Sequence, residues 1–547
     1  MNRKHHIRLA GATMLALALG GTAHAGNYLT LRLEANAARG DITLVNAERG
    51  NFTPHPQLPG DSRGTLQVTG RDRHGRTLFS REIRDPRLLH AESFNPVTGR
   101  IEQAQDIVLA RQQFEIQLPD NAALANVQVS MHPATTNAGL HAAAIPLGSI
   151  GIGQIQQLLQ RKPRQSAQAS PVIGSELVVN NGPSSKRLDI VIMGDGYTSA
   201  EMGKWRSDAQ KVVNGLMSDP LFAANARAFN IRRVDVVSAQ SGIDDPPYNI
   251  YRNTALNATM ACSGIDRLVC ADSNLAYDAA AQVTTADGRD VILVVGNTTR
   301  YGGGGGYIAT MTMHSAATEL ALHELGHTLF GLADEYDYGS CYGNSEPSAP
   351  NVTRQTQRGY IKWGSQIAGS TPLPTPVGRY ALGTVGLFQG GNYCASGVYR
   401  PTENSKMRNL GYPWDAVNWG VATRIFNNYK DDGSQTPDPQ PNPQPGDGSS
   451  TVSGSLSGSG TYADHPDPYK NVTTGGTIKA TLKGPANADF ELHLYRWNGS
   501  SWQIVAKSES PTSNESISYN ASPGYYTVEV YSYGGSGNYT LTYSMPN

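Results

Sequence analysis

The chain is 547 residues long, which is too much for one domain; at roughly 100–200 residues each, about three are expected. Apolar residues make up 39% and charged residues 16%, with 59 Gly and 32 Pro, a turn-rich composition unlike that of a helical bundle. A net charge of −1, from 44 basic and 45 acidic residues, excludes an electrostatic footprint for nucleic acid, a polybasic membrane anchor and the charge excess of a wholly disordered chain.

Residues 1–25 read as a secretory signal peptide. Arg3, Lys4 and Arg8 make a basic start, Leu9 to Leu19 is an apolar run, and Ala23-His24-Ala25 is a small-x-small cleavage site with Gly26 as the expected mature start. The apolar run is short for a bilayer and no second one follows, so an exported chain without a membrane span is expected. The four cysteines then read as two disulfides. Their spacing is not that of a zinc ribbon, and of three possible connectivities the expectation is nearest-neighbour pairing, Cys262–Cys270 and Cys341–Cys394.

Residues 26–150 read as a β-sandwich. Tyr28 to Leu33 alternates, Leu66 to Val68 and Leu78 to Ile83 flank a turn at His74-Gly75, and Phe114 to Leu118 and Val127 to Met131 alternate again. No chemistry is visible in this part, which is expected to be a structural or pro-region. Residues 151–185 hold a short helix over Gln154–Gln160 and then an exposed linker. From 186 to 430 the pattern is α/β. Leu188 to Met193 is an apolar strand broken only by Asp189, Thr198-x-x-Glu201 is a capping box for a helix running towards Met217, and Ile231 to Val237 and Val291 to Val295 are further strands. Residues 431–450 are a Pro-rich linker, and 451–547 read as a second β-sandwich with a hairpin through Asn498-Gly499.

The chemistry lies at His323-Glu-Leu-Gly-His327. On a helix, positions i and i+4 share a face, so two imidazoles can hold one Zn²⁺, while Glu324 beside them can take a proton from water on the metal. Ser315 is the expected N-cap, and Leu322, Leu325 and Leu329 form an apolar stripe roughly opposite the histidines, which are expected to face a cleft. A catalytic site needs a third protein ligand and an open position. Gly331 can end the helix, and Asp334 is the choice for third ligand, with Glu335 the runner-up and Asp337 a solvated bystander.

His323-Glu-Leu-Gly-His-Thr-Leu-Phe-Gly-Leu-Ala-Asp-Glu-Tyr336 resembles the IgA-peptidase-type zinc metallopeptidases, as do Asp189 to Thr198, the glycine run Tyr301 to Tyr307, and Val398-Tyr-Arg-Pro401 followed by Lys406-Met407-Arg408. The resemblance covers about 185 to 430. It implies a zincin-like, metzincin-type α/β catalytic domain between the two β-sandwiches, with Met407 forming a methionine turn beneath the metal. The last domain is similar to the pre-peptidase-type β-sandwich found behind many secreted bacterial proteases. The chain departs from the usual metzincin spacing: the glycine comes four residues after His327 and no third His follows, which leaves the third ligand open.

The expected activity is that of a secreted, monomeric zinc endopeptidase acting on protein or peptide substrates, with Glu324 as general base and Zn²⁺ polarising the scissile carbonyl. A tyrosine such as Tyr412 can assist the oxyanion, although core packing is its more ordinary role. The glycine run lacks the Lys-Ser/Thr of a phosphate loop; it is expected to let a substrate backbone lie close, beside an edge strand at Ile308 to Met313. The rival readings are an adhesin or carbohydrate-binding protein using Trp497 and Trp502, and a metal-dependent amidase on a non-protein substrate.

Overall fold

The computed structural model describes residues 26–55, 64–132, 144–160, 171–338, 341, 345–430, 450–472, 475–497 and 502–546. The expected signal peptide, almost all of the Pro-rich linker and the Asn498-Gly499 turn lie outside the described residues. No helix among those described is long and apolar enough to cross a membrane.

The N-terminal strands are β1 (Gly26–Asn36), β2 (Asp41–Phe52), β3 (Thr65–Asp72), β4 (Thr77–Arg84), β5 (Leu88–Phe94), β6 (Ile101–Val108), β7 (Arg111–Pro119), β8 (Leu124–His132) and β9 (Ile145–Gly151). They pair antiparallel as sheets of order β2-β1-β7 and β4-β3-β8-β9, with β5-β6 as a separate hairpin. Period-two alternation sends Leu29, Leu31 and Leu33 into one core with Leu66, Val68, Phe114 and Val129. Helix α1 (Ile152–Leu159) closes that core with Ile155.

The expected linker at 151–185 is therefore not one linker. Its first part belongs to the N-terminal core, and its last part forms β10 (Val172–Val179), a strand of the central sheet. The central part continues with β11 (Leu188–Asp195), α2 (Met202–Met217), α3 (Pro220–Ala224), β12 (Phe229–Val236), α4 (Ser273–Ala281), β13 (Val291–Gly296), β14 (Gly303–Gly304), β15 (Ala309–Thr312), α5 (Ala317–Phe330), β16 (Phe388–Gly391), β17 (Cys394–Arg400) and α6 (Ala416–Asn427).

The central sheet has the order β10-β12-β11-β13-β15-β14. Its four inner strands run parallel, and β10 and β14 are antiparallel edges. Parallel strands buried on both faces need apolar residues at every position, which is why β11 reads as a continuous run. One face packs on α2, α5 and α6 through Trp205, Val212, Leu325, Leu329 and Phe426. The other packs on α4 through Ala276, Tyr277 and Ala280. Asp189 interrupts the run, and its Oδ1 accepts from Ser184 Oγ at 3.1 Å and from Asn230 Nδ2 at 3.2 Å. The capping box forms, with Thr198 N donating to Glu201 Oε2 at 3.0 Å ahead of α2. The expected edge strand at Ile308 to Met313 is β15, but β14 pairs along its outer side, so its backbone is not a free edge.

Between Ser450 and Ser544 two four-stranded antiparallel sheets enclose a third core that includes Leu482, Phe490, Leu494, Val528 and Leu541. Trp497 stands directly opposite Trp502 in this β-sandwich. The disulfides join Cys262 to Cys270 and Cys341 to Cys394.

Candidate active site

Helix α5 carries His323, Glu324 and His327. Its N-cap is Ala316, not Ser315, and no side chain caps it. Every residue from Leu320 to Phe330 is buried. The apolar stripe of Leu322, Leu325 and Leu329 lies in the central core as expected. The histidine face does not look onto open solvent, because the N-terminal unit covers it.

Two turns hold the histidines in place. Gly331 adopts a left-handed conformation (φ 62°) that reverses the chain at the helix end. His327 Nδ1 donates to the Leu332 carbonyl at 2.7 Å just beyond it. The segment around Met407 passes beneath the helix: His323 Nδ1 donates to the Lys406 carbonyl at 2.9 Å, and Glu335 N donates to the Met407 carbonyl at 2.8 Å. Met407 is fully buried, and a Cβ at Gly326 would lie 2.5 Å from its sulfur, so the glycine inside the motif makes room for the methionine. The Lys406 ammonium is buried near Glu319 at 2.7 Å and Asp219 at 3.6 Å, which anchors the same segment.

A backbone carbonyl can only accept, so each Nδ1 carries the hydrogen and each neutral ring turns its Nε2 lone pair inward. The two Nε2 atoms face each other at 3.1 Å. Asp334 Oδ1 lies 3.2 Å from both, and Glu92 Oε2 lies 3.1 Å from that of His323. Glu92, His323, His327 and Asp334 thus offer four ligand atoms all within 4.8 Å of one another, and all four residues are buried. Two neutral rings would set lone pair against lone pair and two imidazoliums would set N–H against N–H, so the pair needs one proton or a cation between them. Asp334 Oδ1 has no hydrogen-bond donor of its own. A cation at the centre resolves all of these contacts, and a pair of imidazoles with carboxylates is the donor set that Zn²⁺ takes. Burial opposes charge on His323, yet the Asp334 and Glu92 carboxylates outweigh it and hold its affinity for a proton well above the ordinary value.

Asp334 and Glu335 are neighbours with separate surroundings. Asp334 Oδ2 accepts from the Tyr393 hydroxyl at 2.6 Å, leaving Oδ1 for the histidines. Glu335 points away and accepts from Ser405 Oγ at 2.6 Å and from Asn351 and Asn418 Nδ2 at 2.9 Å each. Asp337 is a partly exposed partner of Arg408 at 3.4 Å.

Glu324 lies beneath the glycine run: a Cβ at Gly305 would overlap its carboxylate. At this glycine the run therefore makes room for the protein itself, while Gly305 and Gly306 also line the cavity beside Glu324. A Cβ at Gly303 would likewise come 2.8 Å from Leu320, and one at Gly302 would come 2.6 Å from the Arg267 carbonyl. Burial, with the Glu92 carboxylate next, pushes Glu324 up to about 8; a divalent cation among the four acceptors would pull it the other way. A cavity of about 460 Å³ opens beside Glu324, His327 and Asp334, and its lining includes Leu89 and Glu92.

Three site residues escape sequence reasoning. Glu92 comes from β5, in the part where no chemistry is visible in the sequence. Tyr336 donates to Glu92 Oε1, and Tyr393 to Asp334, so these tyrosines reach the carboxylates of the cluster and Tyr412 is not among them. Tyr336 stands inside the motif Asp334-Glu335-Tyr336, which was the available signal; Glu92 and Tyr393 had none. A second trio of potential ligands, Glu491, His493 and Glu509, lies in the C-terminal sandwich, where Lys507 pairs with Glu509 at 2.6 Å.

Residues 177–384 match the family model for IgA Peptidase M64, and residues 469–532 match that for the bacterial pre-peptidase C-terminal domain. Among solved structures, the pre-peptidase C-terminal domain of a Bacillus anthracis collagenase is 23% identical, with 17% of this chain and 88% of that one covered and a TM-score of 0.16. A Yersinia pseudotuberculosis-derived mitogen is 20% identical over 18% of this chain and 87% of that one, with a TM-score of 0.16. Aeromonas hydrophila PliG, a periplasmic inhibitor of g-type lysozyme, is 14% identical over 18% and 85%, with a TM-score of 0.14. The chain thus carries a peptidase domain of the IgA Peptidase M64 family in its middle and a bacterial pre-peptidase C-terminal domain behind it.

Proposed function

We propose that the chain is an exported zinc-dependent endopeptidase acting on extracellular proteins or peptides. The observation that carries this reading is the cluster of four buried ligand atoms within 4.8 Å of one another: two imidazole nitrogens on a helix of the peptidase domain, the Asp334 carboxylate just beyond that helix and the Glu92 carboxylate of β5. His323, His327 and Asp334 would hold the ion. When bound, zinc supplies Lewis acidity that makes water a nucleophile near neutral pH and draws charge from a carbonyl oxygen.

The rest is work for the chain's own groups. Glu324 takes the proton from water and delivers it to the departing amine, a task for which it must bind no metal. Tyr393 fixes the Asp334 carboxylate, and the Lys406 and Leu332 carbonyls fix the two imidazoles. Met407 is the floor beneath the helix, as in a metzincin-type domain at 186–430 flanked by β-sandwiches at 26–150 and 451–547. The two disulfides and the pre-peptidase C-terminal domain support an extracellular location.

The test is metal analysis together with peptide hydrolysis. The purified chain should hold one zinc. Glu324→Ala should keep it and lose turnover by about 10²–10⁴-fold, the range for removing a general base. His323→Ala should lose both. Near-normal proteolysis by Glu324→Ala would overturn the reading.

A further inference from the structure

The hairpin of β5 and β6 does more than roof the site. It is a two-stranded sheet of its own, with Glu92 opposite Ala104, and Glu92 and Phe94 bring it against His323 on the helix of the peptidase domain. Phe94 is fully buried in a cluster with Tyr301, Leu320, Tyr336, Tyr393 and Leu410, its ring 5.0 Å from that of His323. The hairpin tip is tied down as well: Leu410 N donates to the Gly99 carbonyl at 2.8 Å, and Arg267 Nη1 donates to the Phe94 carbonyl at 2.9 Å and pairs with Glu102. Between these fixings Glu92 is clamped. One of its oxygens accepts from Tyr336, and the other faces His323 Nε2 at 3.1 Å.

A catalytic zinc site keeps three protein ligands and one open position, whereas four protein ligands close it. His323, His327 and Asp334 come from one stretch of the peptidase domain and already make three. Glu92 is a fourth, supplied by a different unit from 231 residues away along the chain. A carboxylate there would compete with water for the open position.

We propose that Glu92 is a displaceable fourth metal ligand, and that the β5–β6 hairpin is an intramolecular inhibitor which holds the peptidase off until it leaves. The proposal rests on the zinc reading above. The hairpin has no strand pairing with the N-terminal sheets and is joined to them by the short connections between Arg84 and Leu88 and between Val108 and Arg111. It can therefore lift without dismantling the core that β3, β4, β7 and β8 share. Removing it would also enlarge the cavity beside Glu324, whose lining includes Leu89 and Glu92.

The experiment compares the full exported chain with Glu92→Gln and Glu92→Ala, each loaded with zinc and, separately, with cobalt(II). The amide introduced by Glu92→Gln would keep the side-chain shape and still accept from Tyr336, so the fold survives while the charge on the ligand is lost. Three quantities are read: metal per chain, the rate at which 1,10-phenanthroline strips the metal, and the visible absorption of the cobalt form. Peptide hydrolysis is recorded alongside. Both variants should retain one metal per chain, give it up at least about tenfold faster, the order by which even outer partners tune metal sites, change the cobalt spectrum, and cleave peptide faster than the parent by a similar factor. Variants that match the parent in stripping rate and spectrum, or that lose metal and activity together, would overturn the proposal. A parent chain that binds no metal would bring down the zinc reading, and this one with it.

Discussion

Neighbouring carboxylates show what decides a ligand. Asp334 and Glu335 are both buried, and a buried carboxylate must find donors or a cation. Glu335 has found donors, three of them, on Ser405, Asn351 and Asn418. Asp334 has one from Tyr393, and its other oxygen faces two imidazole lone pairs. Asp334→Ala should therefore release the metal. Glu335→Ala should keep it and lose stability instead, by about 1–3 kcal/mol for each polar group left stranded. Zinc content and thermal unfolding of the two proteins check this, and the reverse ranking would give the ligand to Glu335. The spacing after Gly331 could place a carboxylate near the histidines. It could not say which one, because the choice depends on Tyr393, Ser405, Asn351 and Asn418, which come from distant segments.

At the scale of the element, α5 was the most legible part of the chain, since a 3.6-residue period and a chemical motif coincide there. Two of its properties were not legible. The N-cap shifts by one residue, which is the ordinary uncertainty of a helix end. The histidine face is buried because β5, far away in sequence, covers it. Gly326 is where local and tertiary demands conflict. Inside a helix Ala is better than Gly by about 1 kcal/mol. Yet the added methyl would lie 2.5 Å from the Met407 sulfur and 3.1 Å from Trp414, both fully buried. Overpacking of this kind costs about 1–3 kcal/mol, so the clash should win and Gly326→Ala should unfold at a lower temperature than the parent. A more stable variant would mean that Met407 gives way, and that the floor beneath the helix is looser than the packing indicates.

Across the whole molecule, the two flanking β units are attached differently. The N-terminal one is locked to the central part through Arg289, whose side chain is 1% exposed and pairs with both Glu48 and Glu115. Arg32 adds a pair to Asp278 at 2.8 Å. Nothing in the sequence near Glu48 or Glu115 announces an interface, because each charge gains its meaning only from a partner that the fold brings in. Breaking such a buried pair by removing one member costs about 3–5 kcal/mol, so this unit is part of the folded enzyme rather than a passenger. The C-terminal sandwich has its own core, drawn entirely from residues beyond 450. It meets the central part where Tyr525 lies over Gly383, so closely that a Cβ there would strike the hydroxyl. A chain ending after Lys430 loses that contact but leaves both other cores whole. It should therefore fold, bind the same metal per chain and cleave small peptides at the parental rate, while hydrolysis of large or anchored substrates falls. Aggregation of the truncated chain, or loss of its metal, would show that the Tyr525 contact carries folding energy and that the boundary near 430 cuts through a shared structure.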